Sequence, residues 1–278
     1  LWQCFKSKEH GNFIHLVSFV EGIPYSEANK FLGKKLFDTP ELLFSNIKIS
    51  AKQQEISAGA SIADAAKDFT KIDFKEESKS LSESLAKKFI VSRKLQASKF
   101  YLGVSGKYIN RLIIPFEDSK GLFYFQARNI LNLGMKYLNP TYKEYGVKSS
   151  EILFPFNEDE KYLVVTEGPL DAMALQGIGV NATSIQGSVM SDAQFKLIKG
   201  KKIILGYDND DAGFSGIKQT TALAKRKNTQ SPYILRPPKR YKDWGEFVVD
   251  SDRKSILRYI NRNVKRMDYS YYVSELLD

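Results

Sequence analysis

The chain has 278 residues, enough for one large domain or two ordinary ones, and at 42% apolar and 27% charged it excludes a disordered or fibrous protein. No stretch reaches the roughly 20 apolar residues of a membrane-spanning helix, so no membrane partner is expected. A net charge of +10 suits a polyanion, nucleic acid first, although a lysine-rich composition gives the same balance without one.

The opening residues 1–11 are polar and charged and do not read as a secretory signal. The single cysteine, Cys4, excludes internal disulfides and fits a reducing, cytoplasmic setting. Helices are expected at 13–21 and 25–36. Residues 38–80 are rich in Ser, Ala, Lys and Glu and read as a linker with a weak helix at 62–69. Order returns at 81, with helices over 84–90 and 92–100. Arg111-Leu-Ile-Ile-Pro-Phe116 and Leu122-Phe-Tyr-Phe-Gln-Ala-Arg128 then read as two strands joined by a turn around 118–121.

After 157 the rhythm changes. Short apolar strands at 162–166, 182–185, 202–207 and 233–235 alternate with helices at 170–176, 192–199, 213–225 and 244–249, which argues for βαβ units and a mainly parallel sheet. Residues 253–278 read as one helix, with Lys254, Arg258, Arg262 and Arg266 on a stripe opposite Ile256, Ile260 and Val264. That stripe fits a solvated face as well as a nucleic-acid or partner contact. The resulting division is 1–37, a linker at 38–80, then 81–158, 159–250 and a tail at 251–278.

The informative residues follow strands. The run Tyr162-Leu-Val-Val-Thr166 delivers Glu167 at its carboxyl end, Gly168 permits a turn, Pro169 suits the first turn of a helix, and Asp171 follows. Lys202-Ile-Ile-Leu-Gly-Tyr207 is followed by Asp208-Asn-Asp210-Asp211. Ligands of open α/β sheets bind beyond the carboxyl ends of strands, so the two acidic clusters converge on one edge. Carboxylates gathered there repel, and hard divalent cations with oxygen coordination relieve the repulsion while leaving positions for phosphate. An acidic turn capping a helix at 213 is the alternative for Asp208 to Asp211 taken alone.

Glu167-Gly-Pro-Leu-Asp171-Ala and Asp208-Asn-Asp210-Asp-Ala-Gly213 resemble the two signature motifs of the Toprim domain, found in bacterial-type primases, type IA and II topoisomerases and some nucleases. Upstream, Asn110-Arg111-Leu-Ile-Ile-Pro-Phe, Gln126-Ala-Arg128 and Lys136-Tyr137-Leu-Asn139-Pro140 resemble the basic subdomain preceding Toprim in DnaG-type primases. The resemblance implies an α/β Toprim domain, a mainly parallel sheet flanked by helices, behind a mixed α+β basic subdomain. It implies acid–base or metal-assisted work for Glu167 and magnesium binding by Asp208 and Asp210, with Asp171 in support. In Lys242-Asp243-Trp-Gly245-Glu246, Asp243 is the further metal ligand and Glu246 its alternative, Gly245 standing where an acidic residue is common. Arg111, Arg128, Lys136, Tyr137, Asn139 and Lys148 are assigned to template, primer or nucleotide.

The implied cofactors are two or more Mg2+ or Mn2+ ions. Cys4-Phe-Lys-Ser7 before Gly11-Asn12 resembles the closing half of a primase zinc ribbon, but Ser7 replaces its second cysteine. With Cys4, His10 and His15 against the four ligands a structural site needs, zinc is not expected. The implied function is DNA-directed RNA polymerase activity, making short RNA primers on single-stranded DNA from ribonucleoside triphosphates and holding an RNA–DNA hybrid. No phosphate-binding Gly-x-x-x-x-Gly-Lys-Ser/Thr loop occurs, so the replicative helicase partner is a separate chain or a missing portion. A Toprim nuclease or topoisomerase-type enzyme, and a noncatalytic single-stranded DNA-binding protein, are the alternatives.

Overall fold

The computed structural model describes residues 61–131 and 134–266, together with 2–3, 10–11 and 27. The chain divides into two compact units, Leu1–Ile56 and Ser57–Asp278. In the first, β1 (Trp2–Gln3) pairs antiparallel with β2 (His10–Gly11). Cys4, His15 and the His10 side chain lie outside the described residues, as do the expected helices at 13–21 and 25–36 apart from helical Glu27.

The second unit opens at Ser61, whose hydroxyl accepts the Asp64 N–H while the Asp64 carboxylate accepts the Ser61 N–H. This reciprocal cap satisfies two donors and starts α1 (Ile62–Ala66). There follow β3 (Phe69–Lys71), α2 (Leu81–Ser92), β4 (Tyr101–Gly103), β5 (Arg111–Asp118), β6 (Gly121–Asn129) and β7 (Tyr137–Leu138). The five strands form an antiparallel sheet in the order β3-β4-β5-β6-β7. The β5–β6 turn closes on Gly121 at φ +114°, a conformation that glycine alone adopts freely. Period-two alternation divides the sheet's side chains: Leu112, Ile114 and Phe116 enter one cluster, while Ile113, Phe125 and Ala127 pack with Ile62 and Ala65 of α1 in another.

After α3 (Tyr142–Tyr145) the architecture becomes α/β. The order is β8 (Tyr162–Thr166), α4 (Pro169–Gly177), β9 (Ala182–Ser184), α5 (Asp192–Leu197), β10 (Lys202–Leu205) and α6 (Asp211–Arg226). Then come β11 (Tyr233–Ile234), α7 (Trp244–Asp250), α8 (Arg253–Asn263) and β12 (Lys265–Arg266). The sheet order is β12-β11-β10-β8-β9, parallel except for β12. Val164 faces the side covered by α4, α7 and α8, while Leu163 and Val165 face α5 and α6. The mainly parallel sheet between helices expected from the sequence is borne out.

One apolar cluster crosses from the first sheet to the second. It joins Ala86 and Ile90 of α2 and Phe116 of β5 to Leu170 of α4, Trp244 of α7 and Ile256 of α8. At about 1.5–3 kcal/mol per fully buried large apolar side chain, this seam is the main tie between the sheets. Trp244 is fully buried, and its indole N–H finds the Gly206 carbonyl at 3.0 Å.

Three expectations are corrected. Within 38–80, the helix expected over 62–69 forms as α1 but stops at Ala66, and Phe69–Lys71 is strand β3, because Phe69 packs edge-on against Tyr108 and Phe125. In place of a helix over 92–100, the chain turns through Lys94 at φ +51° and a short 3-10 turn before β4 pairs with both β3 and β5. The helix expected over 253–278 ends at Asn263, since Lys265 and Arg266 give their backbone bonds to β11; residues beyond 266 lie outside those described.

Candidate active site

The register of β8 with β10, Lys202 opposite Tyr162 and Leu205 opposite Val165, brings the two acidic segments to one sheet edge. Glu167 follows β8, and its Oε1 accepts the Asp208 N–H at 3.2 Å. Asp210 caps α6 by accepting the Gly213 N–H at 2.9 Å. Gly213 is required here, because a Cβ would run into the Asp208 carbonyl and stand 3.0 Å from Glu167 Oε1.

α7 supplies the next acid. Asp243 caps it by accepting the Glu246 N–H at 2.8 Å, and the Gly245 N–H donates to Asp171 Oδ1 at 2.8 Å. Glu246 turns back to accept the Lys242 N–H at 2.8 Å, so of the two candidates it is Asp243 that lines the cleft. The loop before α7 also holds the acidic edge: Arg236 Nη2 donates to the Asp208 carbonyl at 3.0 Å, and Lys242 Nζ lies 4.0 Å from Asp210 Oδ2.

Facing these acids across a cleft of about 350 Å3 is a basic wall of Arg93, Arg128 and Lys136 with Gln126, Tyr137 and Asn139. Arg128 reaches it from β6, donating to the Tyr137 hydroxyl at 2.6 Å, with its guanidinium 4.6 Å from the Phe89 ring centre and 5.3 Å from that of Tyr137. Those contacts fix a long cation without neutralising it. Lys136 has its pKa lowered, first by burial and then by Arg128, Lys242 and Arg93.

Three predicted residues stand apart from the cleft lining, the first being Asp210, whose Oδ1 caps α6 beside it. Arg111 donates to the carbonyls of Ala127 (3.3 Å) and Met135 (3.1 Å), tying β5 to the turn after β6. Lys148 is paired with Glu151 at 3.0 Å and lies 4.8 Å from the Tyr142 ring centre. A larger cavity, about 460 Å3, is walled by Ile72, Leu102, Val104 and Ile109 and contains none of the predicted site residues except the neighbour Asn110 of the Arg111 motif.

The acids are held in tension. Burial, then the charges of Asp171, Glu167, Asp243 and Asp210, pushes Asp208 up to about 8. Asp171 rises to about 7 through burial and Asp243, opposed by the Gly245 N–H and Arg93. Glu167 is raised chiefly by burial. Asp208 Oδ1 is buried with no hydrogen-bond partner. An orphaned carboxylate oxygen among mutually repelling acids fits a hard divalent cation. Among the described residues no three acidic, histidine or cysteine side chains form a ready-made metal cage. Magnesium is commonly held by one or two carboxylates, its remaining positions filled by water and phosphate.

Sequence reading missed Arg93 and Gln186. Arg93 closes the C-terminus of α2, and nothing in its local sequence marks it. Gln186 follows β9, so the strand-end rule that found Glu167 applied to it as well.

Residues 164–248 match the family described as Toprim-like. The chain is 26% identical to the DNA primase of Mycoplasma genitalium over 234 residues, which is 74% of this chain and 38% of that protein. It is 25% identical to the DNA primase of Aquifex aeolicus over 297 aligned positions, covering 94% of this chain and 59% of its relative. Among solved structures, the catalytic core of the E. coli primase superposes with a TM-score of 0.56 at 17% identity, covering 70% of this chain and 78% of that one, a likeness of fold. The chain thus carries a Toprim-like domain and is similar to bacterial DNA primases over most of its length, as the motifs around Glu167, Asp208 and Arg128 implied. It spans 38% and 59% of the length of these two relatives. Among the described residues, no helix is long and apolar enough to cross a membrane.

Proposed function

We propose that this chain is the polymerising core of a DnaG-type primase, a cytoplasmic nucleotidyltransferase that makes short RNA primers on single-stranded DNA. The observation that carries this reading is one cleft with carboxylates of Glu167, Asp171, Asp208 and Asp243 on one side and cations of Arg93, Arg128 and Lys136 on the other. Nucleotidyl transfer needs that pairing, because a triphosphate must be gripped while a hydroxyl is brought to its α-phosphorus.

In this reading Glu167, Asp208 and Asp210 would hold Mg2+ or Mn2+, with Asp171 and Asp243 in support; when bound, such ions would supply activation of the attacking hydroxyl and charge compensation at the leaving pyrophosphate. Arg128, held by Phe89 and Tyr137, presents a preorganised cation to phosphate, and Lys136 and Arg93 extend the same wall. Arg111 supports this wall from behind through the Ala127 and Met135 carbonyls. Catalysis is then mostly positioning and electrostatics. The reading also takes an RNA–DNA hybrid as product and a replicative helicase as partner.

The test is primer synthesis on single-stranded DNA with ribonucleotides and Mg2+ or Mn2+, comparing wild type with Glu167→Gln. Short RNA products that vanish in the variant support the reading. Metal-dependent nicking of DNA without added ribonucleotides, and no primers, favours the nuclease alternative.

A further inference from the structure

Just after β9 the chain passes through Gln186 with φ +56°, a left-handed conformation that strains a residue with a Cβ. The strain is held in place from both sides. The next N–H, of Gly187, donates to the Glu167 carbonyl at 3.1 Å, and the Ser188 carbonyl packs so closely on α6 that a Cβ at Gly216 would collide with it. Gln186 is thereby fixed in the wall of the acidic cleft.

Its carboxamide has one possible orientation. Nε2 donates to the Ser184 carbonyl at 2.6 Å and approaches Ser184 Oγ at 3.2 Å. A carbonyl can only accept, so the nitrogen must face it and Oε1 is the other end. That Oε1 is buried and has no hydrogen-bond partner. A buried acceptor without a donor is destabilising, having given up water for nothing. Strain and an unmet acceptor in a single cleft residue point to a ligand that brings the donor.

Asn139 Oδ1 and Asp208 Oδ1 are likewise buried without partners, and both residues line this cleft. All three atoms are acceptors. A cation answers the carboxylate, whereas a neutral amide oxygen is best answered by a hydrogen-bond donor. Resting on the primase reading, the donors that arrive beside Glu167 and Asp208 are the hydroxyls of a nucleotide ribose. A hydration water of a bound cation offers the same O–H.

We propose that Gln186 is a specificity-determining residue whose Oε1 accepts a hydrogen bond from a ribose hydroxyl bound beside Glu167 and Asp208. The variant that tests it is Gln186→Gly, which removes the acceptor at a backbone position glycine adopts without strain; relief of that strain opposes the loss of the Nε2 bond to Ser184, and the melting temperature is measured alongside to show that the fold is kept. Calorimetric titration uses ATP, 2′-deoxy-ATP and 3′-deoxy-ATP with Mg2+, and Mn2+ alone. ATP affinity is expected to fall about tenfold, about 1.4 kcal/mol, while one of the deoxy analogues binds both proteins equally. An equal loss for all three nucleotides, matched by Mn2+ alone, assigns the donor to a water on the cation and overturns the ribose-hydroxyl contact. Wild-type affinities throughout overturn the proposal. Wild-type priming is measured in parallel: a protein that neither binds ATP nor primes overturns the primase reading and this inference together, whereas a priming wild type with an indifferent variant overturns this inference alone.

Discussion

The Asp208 N–H donates to Glu167 Oε1, joining residues 41 positions apart at the ends of two adjacent parallel strands. Gly213 guards that link, because a side chain there would meet both partners. Gly213→Ala should therefore destabilise the fold by about 1–3 kcal/mol in urea titration and reduce primer synthesis by about a hundredfold. Gly177→Ala, in a helix with open space around the position, is the control and should leave stability unchanged or slightly higher.

A pH dependence follows from the raised acids. Asp171 titrates near 7 and Asp208 near 8 in the folded chain, against about 3.9 when unfolded. Between pH 4 and pH 8 the folded state binds more protons than the unfolded one, so metal-free stability falls as pH rises through that window. Melting in EDTA should show this decline, and Asp208→Asn should flatten it while abolishing synthesis. Magnesium should raise the melting temperature at pH 8 and do little at pH 5.

Lys136 and Lys148 offer a contrast. Lys136 lines the cleft among other cations, whereas Lys148 is engaged by Glu151 outside its lining. Lys136→Ala should lower kcat/KM for ribonucleotides by about tenfold to a hundredfold. Lys148→Ala should change it less than twofold, within the range of an exposed ion pair worth about 0–1 kcal/mol.

Arg128→Lys keeps the charge but loses the guanidinium's contacts over the Phe89 and Tyr137 rings and its bond to the Tyr137 hydroxyl. A loss of about 0.5–1.5 kcal/mol in stability and about a tenfold rise in KM are expected, read from denaturation curves and steady-state kinetics.

The sequence makes legible whatever depends on period and punctuation. Short apolar runs alternating with helices, and strand-end acids, locate β8, β10, Glu167 and Asp208, because a parallel sheet puts strand ends and chemistry together. Contacts distant in sequence stay hidden. β3 looks like polar linker until Phe69 meets Tyr108 and Phe125, and Arg93 reaches the cleft only because α2 packs its Ala86 and Ile90 into the seam shared with α4 and α7. Arg111 and Lys148 carry the right charge for a basic wall, but backbone carbonyls and Glu151 respectively claim their donors.

That seam also limits how the cleft can work. The acids grow from one sheet and the cations largely from the other, yet Phe116, Ile90, Leu170 and Trp244 belong to a single continuous core. A jaw-like closure over substrate would have to tear that core open and expose close-packed apolar surface to water. On the primase reading, substrate then enters without the two walls hinging apart. Selectivity on entry then falls to small side-chain adjustments along the two walls.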